Sequence, residues 1–174
     1  MKSNYENRAI KFATFLSRLF FYCSTLDDFV RVINEYNLTH SRPIRYQHGI
    51  SRIAILRADY VIKFNLAPED HWCDMDGRCL AGDNDSEVEV YERAVEEGYS
   101  YLLAKTTVIN LYGRSISIMP RIDHVGDEDR DWKDYVSEME YRWLMHNISD
   151  LHVYNVGYYH NKPVVIDYGW DARC

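Results

Sequence analysis

The stretch that decides the fold lies near the end of the chain, where residues 149–155 read SDLHVYN and residues 163–169 read PVVIDYG. This stretch contains a carboxylate at Asp150, a carboxamide at Asn155 and a second carboxylate at Asp167, five and then twelve positions apart. Turn residues lie between two strand-like runs here, which predicts a β-hairpin after Asn155. The hairpin would bring Asn155 and Asp167 to one place.

These three side chains suit phosphoryl transfer. Asp150 would orient or deprotonate an attacking hydroxyl, while Asn155 and Asp167 would hold Mg²⁺ against the phosphates of ATP. Oxygen ligands of this kind are the ones that a hard cation prefers. The order and spacing resemble the catalytic loop and metal-binding strand of the protein-kinase and aminoglycoside-phosphotransferase superfamily. Taken singly, each motif is also an ordinary turn or strand end, so only the combination is informative.

The resemblance implies a lysine on the third strand of an N-terminal lobe. Residues 59–64 read DYVIKF and supply Lys63 within a strand-like run. Val61 would share the face of Lys63, whereas Ile62 and Phe64 would cover the opposite face. By resemblance, Lys63 would contact the α- and β-phosphates of the nucleotide.

The same resemblance implies a glutamate partner for Lys63 on the following helix, which the sequence predicts at residues 85–97. Glu87 shares a helical face with apolar residues, whereas Glu89 shares one with charged residues, so Glu87 is the predicted partner. The apolar face comprises Tyr91, Ala94 and Val95. A helix-capping role near the N-terminus is the alternative for Glu87.

A phosphate-covering loop is the next part that the resemblance implies. Residues 45–52 contain a single glycine, Gly49, followed closely by Ser51. Protein kinases have several glycines here, so in this chain backbone amides can approach a phosphate closely at only one flexible point. By resemblance, the loop would still form a short phosphate cover. An ordinary hairpin turn is the equal alternative.

The adenine pocket would lie at the end of the alternating strand 115–122. By resemblance, Met119 would sit at the back of this pocket and the following backbone would meet the adenine edge. Pro120 has no N–H group, so the donor there would be Arg121 or Ile122.

The resemblance implies an α+β fold, a minimal protein-kinase-like arrangement of two lobes within one domain, 1–174. Residues 1–40 would form N-terminal helices that pack on the N-lobe. Residues 41–122 would form an antiparallel N-lobe sheet with the helix 85–97. A reduced helical C-lobe, 123–174, would carry the catalytic loop and the metal-binding hairpin.

Two segments are rich in acidic residues, 127–131 and 67–85. Residues 127–131 predict the start of a helix that continues to about His146. Its predicted buried side comprises Trp132, Tyr135, Met139 and Trp143. Residues 67–85 predict a long exposed loop between the lysine strand and the glutamate helix.

Length and charge limit the function classes. The 174 residues with 47% hydrophobic content can bury one substantial core. A formal net charge of −7 argues against nonspecific nucleic-acid binding, which needs a basic surface. No apolar run is long enough to cross a membrane, so a cytoplasmic protein without a membrane partner is expected.

The chain ends at Cys174, soon after the metal-binding motif, without the activation segment and later helices of protein kinases. In this it resembles compact kinase-like proteins of bacteriophages, for which a host protein is a candidate hydroxyl acceptor. Three functions remain open: an ATP- and Mg²⁺-dependent phosphotransferase, a pseudokinase-type module that grips or inhibits a partner without turnover, and a structural or metabolic protein with coincidental motifs. Homo-oligomerisation is also open.

Overall fold

The computed structural model describes residues 4–49, 51–66, 84–122, 132–149, 151–160 and 162–168. The helices are α1 (Asn4–Leu19), α2 (Leu26–Thr39), α3 (Asn84–Glu96) and α4 (Glu138–Asn147). The strands are β1 (Arg45–His48), β2 (Arg52–Leu56), β3 (Tyr60–Asn65), β4 (Thr107–Leu111), β5 (Arg114–Pro120), β6 (Val156–Tyr159) and β7 (Lys162–Val165).

Five of these strands form one antiparallel sheet in the order β1-β2-β3-β5-β4, and β6 and β7 form a separate antiparallel hairpin. The predicted α+β class, the antiparallel sheet and the hairpin after Asn155 are therefore confirmed. In the sheet, Lys63 pairs with Ala54 on β2 and with Ser117 on β5. Side chains alternate between the two faces of a strand, so this register decides which residues lie beside Lys63.

The first face of the sheet is covered by α1 and α2. Apolar residues of both helices form one buried cluster with alternate residues of β2, β3 and β5, including Ile62 and Phe64 as predicted. The side chain of Thr25 caps α2 in a capping box with Asp28, which satisfies two backbone donors that a helix start leaves free. The prediction of N-terminal helices that pack on the sheet is confirmed.

The second face is covered by α3, α4 and the β6–β7 hairpin. Their buried residues form a second apolar cluster that includes Met119 and, at its edge, Val61. The hairpin is joined to the segment before β4, where the amide of Ala104 donates to the carbonyl of Val165 over 2.8 Å. This junction holds the end of β7 beside the sheet.

The helix predicted from residue 127 to His146 is wrong in its start. Ser137 caps a helix that begins at Glu138, and Trp132–Tyr135 forms a separate 3₁₀ turn. The break changes the helical phase, so Tyr135 and Met139 are 52% and 71% exposed, although they were expected on the buried side. Trp132 and Trp143 are buried as predicted.

Some predictions fall outside the described residues, namely the acidic start at 127–131 and most of the loop 67–85. In the part of the chain that the structure describes, no helix has both the length and the apolar character needed to span a bilayer. The division into lobes stays a prediction.

Candidate functional site

An ion pair between Lys63 and Glu87 lies on the second face of the sheet. Their Nζ and Oε1 atoms are 2.5 Å apart, and the two side chains are 7% and 0% exposed. Asn84 explains the position of the glutamate, because its Nδ2 donates to the carbonyls of Lys63 and Ser115 at the start of α3. The first turn of α3 is thereby fixed over β3 and β5, and the predicted pairing is present.

Glu87 uses its second oxygen as well. Ser117 Oγ donates to Glu87 Oε2 over 3.0 Å. The helical-face reasoning chose the right acid, because Val90 and Ala94 are buried with Glu87. The prediction that Val95 lies on the same face is wrong, because its side chain is 54% exposed. The buried residues Glu87, Val90 and Ala94 are spaced three and then four positions apart, which leaves Val95 outside the buried face.

Asp167 reaches this ion pair from the hairpin. It follows the end of β7, and Lys63 Nζ lies 3.4 Å from its Oδ1 while donating to the carbonyl of Ile166 over 3.0 Å. Burial alone would raise the pKa of Asp167, but the nearby charges of Lys63 and Arg52 outweigh it and hold that pKa below its ordinary value. The carboxylate is therefore ionised at neutral pH.

The backbone of Asn155 lies next to Asp167. The amide of Ile166, which precedes the aspartate, donates to the carbonyl of Asn155 over 2.8 Å. The two predicted metal ligands thus lie at adjacent ends of β6 and β7, as the hairpin required. Asp150, the predicted base, lies outside the described residues.

Arg52 is the site residue that sequence reasoning missed. Its side chain is 9% exposed, its Nη1 lies 2.9 Å from Glu87 Oε1, and its Nη2 pairs with Asp167 Oδ1. It is the first residue of β2 and lies two positions before the partner of Lys63, so strand alternation places it on the lysine's face. The position of Arg52 beside Lys63 can be inferred only when the register of β2 against β3 is known.

Tyr168 anchors the segment that carries Asp167. The ring is buried, its hydroxyl donates to the carbonyl of Ala104, and Thr106 Oγ1 lies 2.7 Å from the same hydroxyl. Burial, together with the charge of Glu87, raises the pKa of Tyr168 well above its ordinary value. The hydroxyl therefore keeps its proton and remains a donor.

The loop between β1 and β2 has the geometry of a hairpin turn. The amide of Gly49 donates to the carbonyl of Arg52 over 3.0 Å, and the carbonyl of Ser51 accepts from Leu66 over 2.8 Å. A Cβ added to Gly49 would meet none of the described atoms within 4 Å. The turn itself therefore does not demand glycine, and the predicted phosphate-binding role of Gly49 and Ser51 stays a prediction.

Of the two backbone amides predicted to donate to adenine, one is already hydrogen-bonded within the protein. Met119 is buried in the second cluster. The amide of Arg121 donates to the carbonyl of Asp59 over 3.1 Å, which extends the pairing of β3 with β5. Because that amide is already bonded, Ile122 is the remaining candidate of the two.

No protein-family model matches the chain, and no curated protein matches it in sequence. Among solved structures the chain is similar to one described as the co-crystal structure of WbdD and kinase inhibitor LY294002. The identity is 15%, the match covers 74% of this chain and 33% of that chain, and the TM-score is 0.36. The chain thus spans about a third of that protein's length.

Proposed function

We propose that the protein is an ATP- and Mg²⁺-dependent phosphotransferase with a minimal kinase-like fold, which transfers the γ-phosphate to a hydroxyl acceptor. One observation carries the proposal: Lys63, Glu87 and Asp167 come from three distant segments and meet in one bonded cluster. These are the residue types that phosphoryl transfer needs for binding phosphate, positioning the lysine and binding metal. The sequence pattern around Asp150 and Asn155 supplies the remaining two roles.

In this proposal each residue has a separate task. Lys63, held in place by Glu87, binds the nucleotide phosphates, and Asp150 orients the acceptor hydroxyl and removes its proton. Asp167 and Asn155 provide oxygen ligands for Mg²⁺. The metal, when bound, supplies positive charge that neutralises the phosphates.

The donor set fits magnesium. Among the described residues, no cluster of three or more His, Cys, Asp or Glu side chains could hold a metal by itself. Magnesium does not need one, because it usually keeps several waters and takes one or two carboxylates together with substrate phosphates. An ionised Asp167, 46% exposed, suits that mode of binding.

The cost of the cluster also supports a functional role. Buried ion pairs add little net stability, because desolvation offsets most of the attraction between the charges. Apolar residues of similar size would pack the second face of the sheet about as well. A buried Lys63 and a fully buried Glu87 are therefore better explained by a ligand that needs them than by stability.

The second candidate is a pseudokinase-type binding module that grips a partner without turnover. The ion pair between Arg52 and Asp167 favours it, because an arginine bound to the proposed metal ligand competes with a cation there. In such a module the charged cluster would serve only to hold the hairpin against the sheet.

Calorimetric titration of ATP, with and without Mg²⁺, tests the proposal. Wild-type protein is expected to bind ATP more tightly with Mg²⁺, and Asp167→Asn is expected to lose that enhancement. Asp134→Asn is the matched control, because Asp134 is an exposed carboxylate on the 3₁₀ turn. Absence of ATP binding under every condition would overturn the proposal and leave the binding module.

Turnover separates the two candidates once binding is established. Asp150→Asn is expected to keep Mg²⁺-ATP affinity but to lose phosphate transfer, because the base does not hold the nucleotide. Retention of the protein's biological effect in this variant would support the binding module instead.

A further inference from the structure

We propose that Arg52 is a phosphate-binding residue, and that its guanidinium moves from Asp167 to the nucleotide phosphates when ATP and Mg²⁺ bind. The inference rests on the proposed nucleotide site and deepens it. It assigns to a side chain the task that a glycine-rich loop performs with backbone amides.

The position of Arg52 is the first argument. It directly follows the loop that would cover the phosphates, and its side chain is on the face of the sheet that carries Lys63. The guanidinium reaches both carboxylates of the cluster, with Nη1 at Glu87 and Nη2 at Asp167. A group that touches the lysine's partner and the proposed metal ligand lies within the proposed phosphate site.

The bonding of the loop is the second argument. Gly49 is the single glycine of this loop, and its amide already donates to the carbonyl of Arg52 within the turn. The amide of this glycine is therefore engaged by the turn. A cation at the start of β2 would supply the missing contact, and arginine is well suited because its planar fork of N–H groups matches phosphate oxygens.

The charge of the cluster is the third argument. Lys63 alone already contacts both Glu87 and Asp167. Arg52 balances the second negative charge, so the four side chains together are neutral. A magnesium ion at Asp167 would then leave two positive charges in excess, which is the condition under which a polyphosphate binds well.

The competition at Asp167 is the fourth argument. Arg52 and Lys63 both bond to Oδ1 of this carboxylate, and neither of these bonds involves Oδ2. A metal ion at the carboxylate would repel the guanidinium, and a phosphate nearby would attract it. Arg52 therefore has a physical reason to move from Asp167 to the nucleotide on binding.

Titrations of Arg52→Gln and Arg52→Lys with ATP, adenosine and Mn²⁺ test the inference. At saturating Mg²⁺, Arg52→Gln is expected to weaken ATP binding about tenfold or more, as for the loss of a charge-assisted contact, and to leave adenosine binding unchanged. Without nucleotide, the same variant is expected to bind Mn²⁺, used as the probe for the metal site, more tightly than wild type. The ATP affinity of Arg52→Lys should lie between those of wild type and Arg52→Gln.

Arg142→Gln is the matched control, since Arg142 is an exposed arginine that pairs with Glu138 on α4. It is expected to leave all three affinities unchanged. Thermal unfolding shows whether Arg52→Gln is folded; if it is not, the ATP-to-adenosine comparison in Arg52→Lys decides.

The outcomes separate the inference from the proposed function. Wild-type protein that binds no ATP would overturn both. Wild-type protein that binds ATP, with no loss in Arg52→Gln, would overturn the inference alone. Tighter ATP binding in Arg52→Gln would show that Arg52 blocks the site, which also overturns the inference and favours the binding module.

Discussion

At the scale of single residues, Glu87 makes the bonds that connect the side chains of the candidate site. It is fully buried and bonds to Lys63, Arg52 and Ser117, which come from three neighbouring strands. A buried carboxylate is tolerated only when its oxygens are paired in this way. Glu87 therefore orders both cations before any ligand arrives.

Replacing Glu87 by Gln is expected to lower the free energy of unfolding by about 3–5 kcal/mol, because it removes one partner of a buried charge cluster. The matched control is Glu89→Gln on the exposed side of the same helix, for which a change within about 0.5 kcal/mol is expected. Urea denaturation at neutral pH measures both. Equal effects of the two substitutions would contradict the structural role of Glu87.

At the scale of elements, the starts of α2 and α4 are set by local capping. Thr25 with Asp28 and Ser137 with Glu140 each form a capping box. The first has a clear sequence signature, because an apolar periodic run follows Thr25 directly. The second was overlooked, because acidic residues ten positions earlier also resembled a helix start. The start of α4 is therefore set by the capping bonds of Ser137 and not by the acidic composition of the preceding segment.

The cap of α4 gives a prediction with a defined pH dependence. Bonds from Ser137 and Tyr101 hold the pKa of Glu140 below its ordinary value of 4.5. A lowered pKa in the folded state means that the ionised carboxylate adds stability above its unfolded-state pKa, and that this stability is lost as pH falls through the folded-state value. Glu140→Gln is therefore expected to be less stable than wild type at pH 7, and the difference should shrink below about pH 4.5.

Urea denaturation of both proteins across this pH range provides the measurement. Ser137→Ala removes the other half of the capping box and is expected to lower the free energy of unfolding by about 1 kcal/mol. If the difference in unfolding free energy between wild type and Glu140→Gln stays constant from pH 7 to pH 3, the charge of the carboxylate does not contribute to stability.

At the scale of the whole molecule, the sheet separates two apolar clusters and the candidate site lies at the edge of the second. The sequence predicted the N-terminal helices and the hairpin, because each depends on a local pattern, and the resemblance implied the antiparallel sheet. The resemblance implied that Lys63 pairs with a glutamate on the following helix, and the apolar helix face favoured Glu87 over Glu89. The sequence did not predict Arg52, because its contacts depend on strand register and on a hairpin more than a hundred residues away.

The junction between hairpin and sheet is also non-local. Tyr168 joins them through Ala104 and Thr106, which lie more than sixty residues earlier in the chain. The sequence offered only a tyrosine beside the proposed metal ligand Asp167. Its neighbours became visible once α3 and the segment after it had brought residues 102–106 under the hairpin.

Tyr168→Phe tests whether this junction positions the site. The substitution keeps the ring but leaves the buried carbonyl of Ala104 with only the long bond from Thr106 Oγ1, at 3.5 Å. A loss of about 1–3 kcal/mol in unfolding free energy is therefore expected. Because Asp167 precedes this ring, Mg²⁺-dependent ATP binding should also weaken, although no proposed ligand has changed. Tyr159→Phe is the matched control, since that hydroxyl belongs to a 54% exposed residue of the same hairpin. Denaturation and calorimetry on both variants measure the two effects, and a Tyr168→Phe protein that matches the control in both would show that the hairpin is held without this bond.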